Sequence, residues 1–114
     1  MKFRFDCVFY YVSDLPRAIH FYTDVLGFRL VSQDQVARFD VDGVLFELVP
    51  APDPNQVKTG SGMCLEVEDM PQAVAHLESE GIHPATPEIK QGGILSWFQD
   101  PDGNFIFLWQ YTGR

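Results

Sequence analysis

Two stretches of the chain carry the residues most able to do chemistry. "DGVLFELVP" runs from Asp42 to Pro50 and "DGNFIFLWQ" from Asp102 to Gln110. Both open with Asp-Gly and continue as an apolar strand, but at the equivalent position one has Glu47 and the other Phe107. A carboxylate among apolar neighbours is a candidate general base or an anchor for an amine. A benzene ring offers a stacking surface and no lone pair. The thiols of Cys7 and Cys64 lack CxxC spacing, which argues against a zinc-ribbon or redox pair. Each falls in an apolar strand pattern, so both are expected as buried free thiols. His20 and His76 are expected on the outer faces of helices, and His83, before Pro84, at a strand entry.

The elements that must position these residues are repeated once. "YVSDLPRA" (Tyr11 to Ala18) aligns with "EVEDMPQA" (Glu66 to Ala73) at an offset of 55, and the Asp-Gly strands align at an offset of 60. Two landmarks in the same order indicate a duplicated module. In the first copy, Phe5 to Val12 is rich in β-branched and aromatic residues and predicts a strand. Asp14 is a candidate N-cap, with Pro16 in the first turn. Ala18, Ile19, Tyr22, Val25 and Leu26 recur at helical spacing, and Gly27 ends that helix. Strands follow over Arg29 to Ser32, Gln35 to Val41 and Val44 to Val49, the last two joined by the hairpin pair Asp42-Gly43. In the second copy "MCLEVE" predicts a strand and Met70 to Gly81 a helix. A strand is expected near His83, and "GILSWFQD" and "NFIFLWQY" complete the module around Pro101-Asp102-Gly103. Each half therefore reads β-α-β-β-β, an α+β fold of two tandem modules. The expectation is one domain over 1–114: module 1 about 3–50, a Pro/Gly-rich linker 51–61, and module 2 about 62–112.

Bulk properties restrict the partners. A chain of 114 residues with 46% apolar content can bury one core. Its formal charge of −8, with 8 scattered basic residues, argues against nucleic acid. It permits a preference for cationic ligands. Lys2, Arg4 and Asp6 interrupt any signal-peptide pattern, and no apolar run approaches the ~20 residues of a membrane span. A cytoplasmic protein without a membrane partner is expected.

"YVSDLPRAIHFYTDVLGF" (Tyr11 to Phe28) and "DPDGNFIFL" (Asp100 to Leu108) resemble the vicinal oxygen chelate superfamily. That group holds glyoxalase I, extradiol dioxygenases, and the fosfomycin and bleomycin resistance proteins. The resemblance covers nearly the whole chain, and it implies modules curled into a cupped, partly barrel-like mixed sheet, with helices outside and a ligand or metal in a cleft between modules. It also implies metal-ligand positions on the first and last strands of each module, which here fall on Cys7, Glu47, Gly62 and Phe107. Only Glu47 keeps a ligand type of the metal enzymes, so no metal and no other cofactor is expected.

Strand parity extends this reading. Cys7, Phe9 and Tyr11 share one face, as do Leu45, Glu47 and Val49, then Gly62, Cys64 and Glu66, then Phe105, Phe107 and Trp109. Trp97 or Phe98 adds a ring, with parity undecided. The expected ligand-binding set is thus Cys7, Phe9, Tyr11, Glu47, Cys64, Glu66, Trp97, Phe105, Phe107 and Trp109, with Glu47 a candidate catalytic base. Such a face suits an aromatic or cationic compound. The same rings could instead fill a collapsed cleft or a dimer seam. The favoured reading is a metal-free small-molecule-binding protein of the bleomycin-resistance type, forming a homodimer. The alternatives are a metal-assisted lyase, isomerase or dioxygenase of the glyoxalase type, and a non-catalytic protein serving through its dimer surface.

Overall fold

A computed structural model describes residues 2, 5–53 and 62–113. The expected linker falls largely on 54–61, outside the described residues. The chain divides into two compact units, Met1–Lys58 and Thr59–Arg114.

The first unit contains β1 (Val8–Val12), α1 (Leu15–His20), a π-helical turn (Phe21–Val25), β2 (Arg29–Gln33), β3 (Ala37–Val41) and β4 (Val44–Pro50). Its sheet has the order β1-β4-β3-β2, with β1 parallel to β4 and the other pairs antiparallel. The second contains β5 (Gly62–Glu66), α2 (Met70–Ser79), β6 (Glu88–Lys90), β7 (Gly93–Gln99) and β8 (Phe105–Tyr111). It repeats the same topology as β5-β8-β7-β6. The fold is therefore α+β, with two βαβββ modules carrying two four-stranded mixed sheets and two helices.

Matching local chemistry builds both modules. Asp14 accepts the Arg17 N–H at 3.1 Å and Asp69 accepts the Gln72 N–H at 3.1 Å, with a proline in each first turn. Asp42 (φ 53°) and Gly43 (φ 84°) are both left-handed, as a two-residue hairpin turn of this type demands. At the last hairpin Asp100, 5% exposed, accepts the N–H groups of Asp102 (2.9 Å) and Asn104 (2.8 Å) and the Asn104 side-chain amide (2.9 Å).

One face of each sheet packs into a core. In the first unit Tyr22, Phe39 and Phe46 are buried, with centroids 5.0 Å apart for Tyr22–Phe46 and 5.9 Å for Phe39–Phe46. In the second, Met70, Leu77, Phe98, Ile106 and Leu108 are buried. Among the described residues no helix is long and apolar enough to cross a membrane.

Several boundaries differ from the sequence reading, among them β3, which begins at Ala37, and α2, which ends at Ser79. β1 begins at Val8, so Cys7 precedes it. The first helix widens after His20, where Leu26 N–H bonds the Phe21 carbonyl at 3.3 Å. There the Thr23 hydroxyl donates to the Ile19 carbonyl at 2.7 Å, competing for the acceptor a regular helix would use. No strand starts at His83. Pro84 and Pro87 lack N–H groups, and pairing resumes only at Glu88. The intervening chain is tied down by Ala85 N–H to the Trp97 carbonyl (2.8 Å) and by the Ser96 hydroxyl to the Ala85 carbonyl (2.6 Å).

Candidate functional site

Strand register converts the repeat into geometry. In the first unit Phe9 lies beside Glu47 on β4, and Glu47 lies opposite Arg38 on β3. In the second unit Cys64 lies beside Phe107 on β8, and Phe107 lies opposite Trp97 on β7. The two rows are equivalent places in the duplicated module. One is ionic and the other is aromatic.

The ionic row is a relay. Arg38 Nε is 3.7 Å from Glu47 Oε2, and its Nη1 is 3.2 Å from Asp34 Oδ2 and 3.4 Å from Ser32 Oγ. Glu47 is therefore not the isolated anion its apolar strand suggests. Its side chain is 19% exposed and that of Arg38 is 35% exposed. Phe9, 45% exposed, meets Tyr11 edge-on at 5.3 Å. Cys7 is half-buried. Desolvation pushes its thiol above the ordinary range of 9.0, and the Glu47 charge and then Asp6 add to that.

The aromatic row belongs to a larger ring-covered face of the second unit. Trp97 meets Phe105 at 5.6 Å, Phe105 stacks on Phe107 at 6.1 Å with planes 23° apart, and Trp109 meets Tyr111 at 5.9 Å. Trp97 is 41% exposed, whereas Phe98 is buried on the opposite face, which decides the parity that sequence left open. Gly93 makes room for Trp109: a Cβ there would lie 2.3 Å from Cζ2 of the indole. Glu66 lies beside Trp109 on β5 and is exposed.

The expected site residues thus fall into two sets, each on one sheet face of its own unit. Phe9, Tyr11 and Glu47 are together in the first, with Cys7 close enough to feel the Glu47 charge. Cys64, Glu66, Trp97, Phe105, Phe107 and Trp109 are together in the second. Neither cysteine is buried as the apolar pattern suggested. Cys64 is exposed because β5 turns it away from the α2 side of the sheet, though desolvation still raises its thiol pKa. His20, His76 and His83 are exposed, as expected.

Arg38 was missed, although the signal was present. The two-residue turn at Asp42-Gly43 fixes the register, and counting outward from Val41↔Val44 brings Arg38 opposite Glu47. Gly93 has no comparable sequence signal, because its role depends on the rotamer of Trp109 across the sheet.

The donor set does not fit a metal ion. Gly62 has no side chain, Phe107 has no donor atom, and Glu47 faces a guanidinium. Among the described residues no group of three or more His, Cys, Asp and Glu is placed to hold one.

Residues 4–108 match the model of the Glyoxalase/Bleomycin resistance protein/Dioxygenase superfamily. The structure is similar to that of TnmS3, an antibiotic binding protein from Streptomyces sp. CB03234, at 26% identity and a TM-score of 0.80, covering 98% of this chain and 99% of that one. It is similar to the fosfomycin resistance protein FosX from Listeria monocytogenes at 15% identity and a TM-score of 0.82, covering 99% and 97%. A lactoylglutathione lyase from Agrobacterium tumefaciens matches at 21% identity and a TM-score of 0.76, covering 94% and 92%. At these identities the latter two share the fold alone.

Proposed function

The chain belongs to the Glyoxalase/Bleomycin resistance protein/Dioxygenase superfamily, and from that premise we propose a small-molecule-binding protein that sequesters a flat aromatic compound without a metal ion. The observation that carries this is the ring-covered face of the second unit. There Trp97, Phe105 and Phe107 form one contiguous surface, with Trp97 exposed to solvent. Aromatic rings left partly in water on one sheet face gain by stacking on a ligand, through both apolar burial and ring–ring geometry. The similarity to an antibiotic binding protein supports the same reading.

A positive charge on the ligand has a place in this proposal. Its partner is Glu66, beside Trp109, rather than Glu47, whose charge is already met by Arg38. Glu47 as a general base fits poorly for the same reason. The proposal includes a homodimer, which light scattering tests by a mass of two chains.

The chain has two tryptophans, Trp97 and Trp109, and both lie on the proposed face. Their fluorescence therefore reports directly on it. Titration with a panel of planar aromatic compounds, some carrying an amine, is expected to give saturable quenching with at least one of them. A panel that leaves the emission of both tryptophans unchanged would count decisively against the reading.

A further inference from the structure

We propose that Arg38 is the resident counter-charge of the first unit's face, its guanidinium supplying the positive charge beside Glu47 that a bound cation would otherwise have to supply. This rests on the metal-free reading above and specifies what compensates Glu47 in the absence of an ion.

The argument begins with Glu47. A half-buried carboxylate on a sheet face costs desolvation unless a positive charge or hydrogen-bond donors compensate it. In this chain the compensation is covalently built in. Arg38 reaches Glu47 through Nε at 3.7 Å and is held from its other side by Asp34 at 3.2 Å and Ser32 at 3.4 Å. A guanidinium remains charged at every accessible pH, and this one donates a hydrogen bond to Asp34 while lying within ion-pair distance of Glu47. β3 and β4 set the arrangement by register, and the left-handed Asp42-Gly43 turn fixes that register. Arg38 is thus an element of the sheet itself and not a side chain that wanders onto the face.

The second unit shows the other solution at the equivalent place. Phe107 removes the carboxylate, and Trp97 takes the position corresponding to Arg38. A ring lies opposite a ring where a cation lies opposite an anion in the first copy. Within each row the cross-strand pair is complementary, cation to anion in the first unit and ring to ring in the second. Arg38 and Trp97 are in this sense the residues that determine what each face accepts.

Removing the guanidinium while keeping the shape of the side chain should uncover Glu47 and Asp34 together. The test is calorimetric titration of the full chain with zinc, nickel and manganese, using the wild type, Arg38→Met and the double variant Arg38→Met/Glu47→Gln. The wild type is expected to take up none of the three stoichiometrically. Arg38→Met should gain affinity for at least one ion by about tenfold or more, since one compensating charge has been removed a few ångströms from two carboxylates. The double variant should lose that gain. Should Arg38→Met fail to fold, Arg38→Gln carries the same comparison and retains a donor for Asp34.

The proposal is overturned if the wild type binds one equivalent of an ion through Glu47, or if the Arg38 variants gain nothing. These outcomes are separable from the ligand-binding reading. Metal uptake by the Arg38 variants with no aromatic ligand found would leave the counter-charge standing and remove the function. Quenching by an aromatic ligand together with no gain of metal affinity in the Arg38 variants would do the reverse.

Discussion

At the scale of single residues, Phe107 and Gly93 make opposite contributions to one face. Phe107 supplies a ring at the place where the first unit has Glu47, and its neighbours Phe105 and Trp97 complete the stack. Phe107→Ala would remove one stacking partner while leaving the buried side of β8, Ile106 and Leu108, intact. The expected loss is about 1 kcal/mol of ligand affinity, or roughly fivefold in dissociation constant, with little change in melting temperature. Tryptophan quenching and thermal unfolding on the same samples separate the two. Gly93 acts through absence. Its added Cβ would meet Trp109 at 2.3 Å and the Gln110 carbonyl oxygen at 2.6 Å, and the second contact is backbone, which cannot step aside. Gly93→Ala is therefore expected to destabilise by about 1–3 kcal/mol and to shift the emission of Trp109. Unaltered stability would mean that β7 and β8 separate more easily than their register implies.

At the scale of elements, most of the fold was legible and the exceptions have local causes. The N-cap at Asp14, the left-handed Asp42-Gly43 turn, and the alternation that buries Phe46, Leu48, Ile106 and Leu108 follow from residue type and a period of two. The π-helical turn was invisible because Ala18 through Leu26 keeps an ordinary helical period, and the backbone bond from Leu26 to Phe21 that distinguishes the two geometries leaves no mark in that period. β6 starts only at Glu88 because Pro84 and Pro87, which have no N–H to donate to a ladder, interrupt the segment after His83. The β2–β3 hairpin carries an electrostatic prediction. Asp34 is held below its ordinary 3.8, first by the Val36 N–H and then by Arg38, and Asp40 is held down first by Arg29 and then by the Gly43 N–H. A carboxyl depressed in the folded state stabilises above its unfolded pKa, and that contribution is lost as pH falls through the folded pKa. Stability should therefore decline as pH drops below 3.8, and the double variant Asp34→Asn/Asp40→Asn should show a flatter decline. Denaturant midpoints measured across pH 2–6 would test this, and parallel curves for both proteins would refute it.

At the scale of the whole molecule, duplication followed by divergence explains why one chain carries two different faces. The modules share topology and helix N-caps, Asp14 in one and Asp69 in the other. They differ where side chains leave the core, Arg38 and Glu47 against Trp97 and Phe107. The candidate residues were legible because parity needs no partner. Their electrostatics were not, because a partner is found only once the register between strands is counted. The formal charge of −8 acts over all of this at longer range. Ring stacking is indifferent to the sign of a ligand's charge, whereas the field of an acidic chain is not. Matched compounds with the same ring system and a cationic, neutral or anionic substituent should therefore bind in that order. The differences should shrink as salt rises and shortens the screening length to about 3 Å near 1 M. Were the anionic member to bind best at low salt, a positive group would have to meet it on the face, and Arg38, rather than the rings of the second unit, would become the residue to which the ligand is anchored.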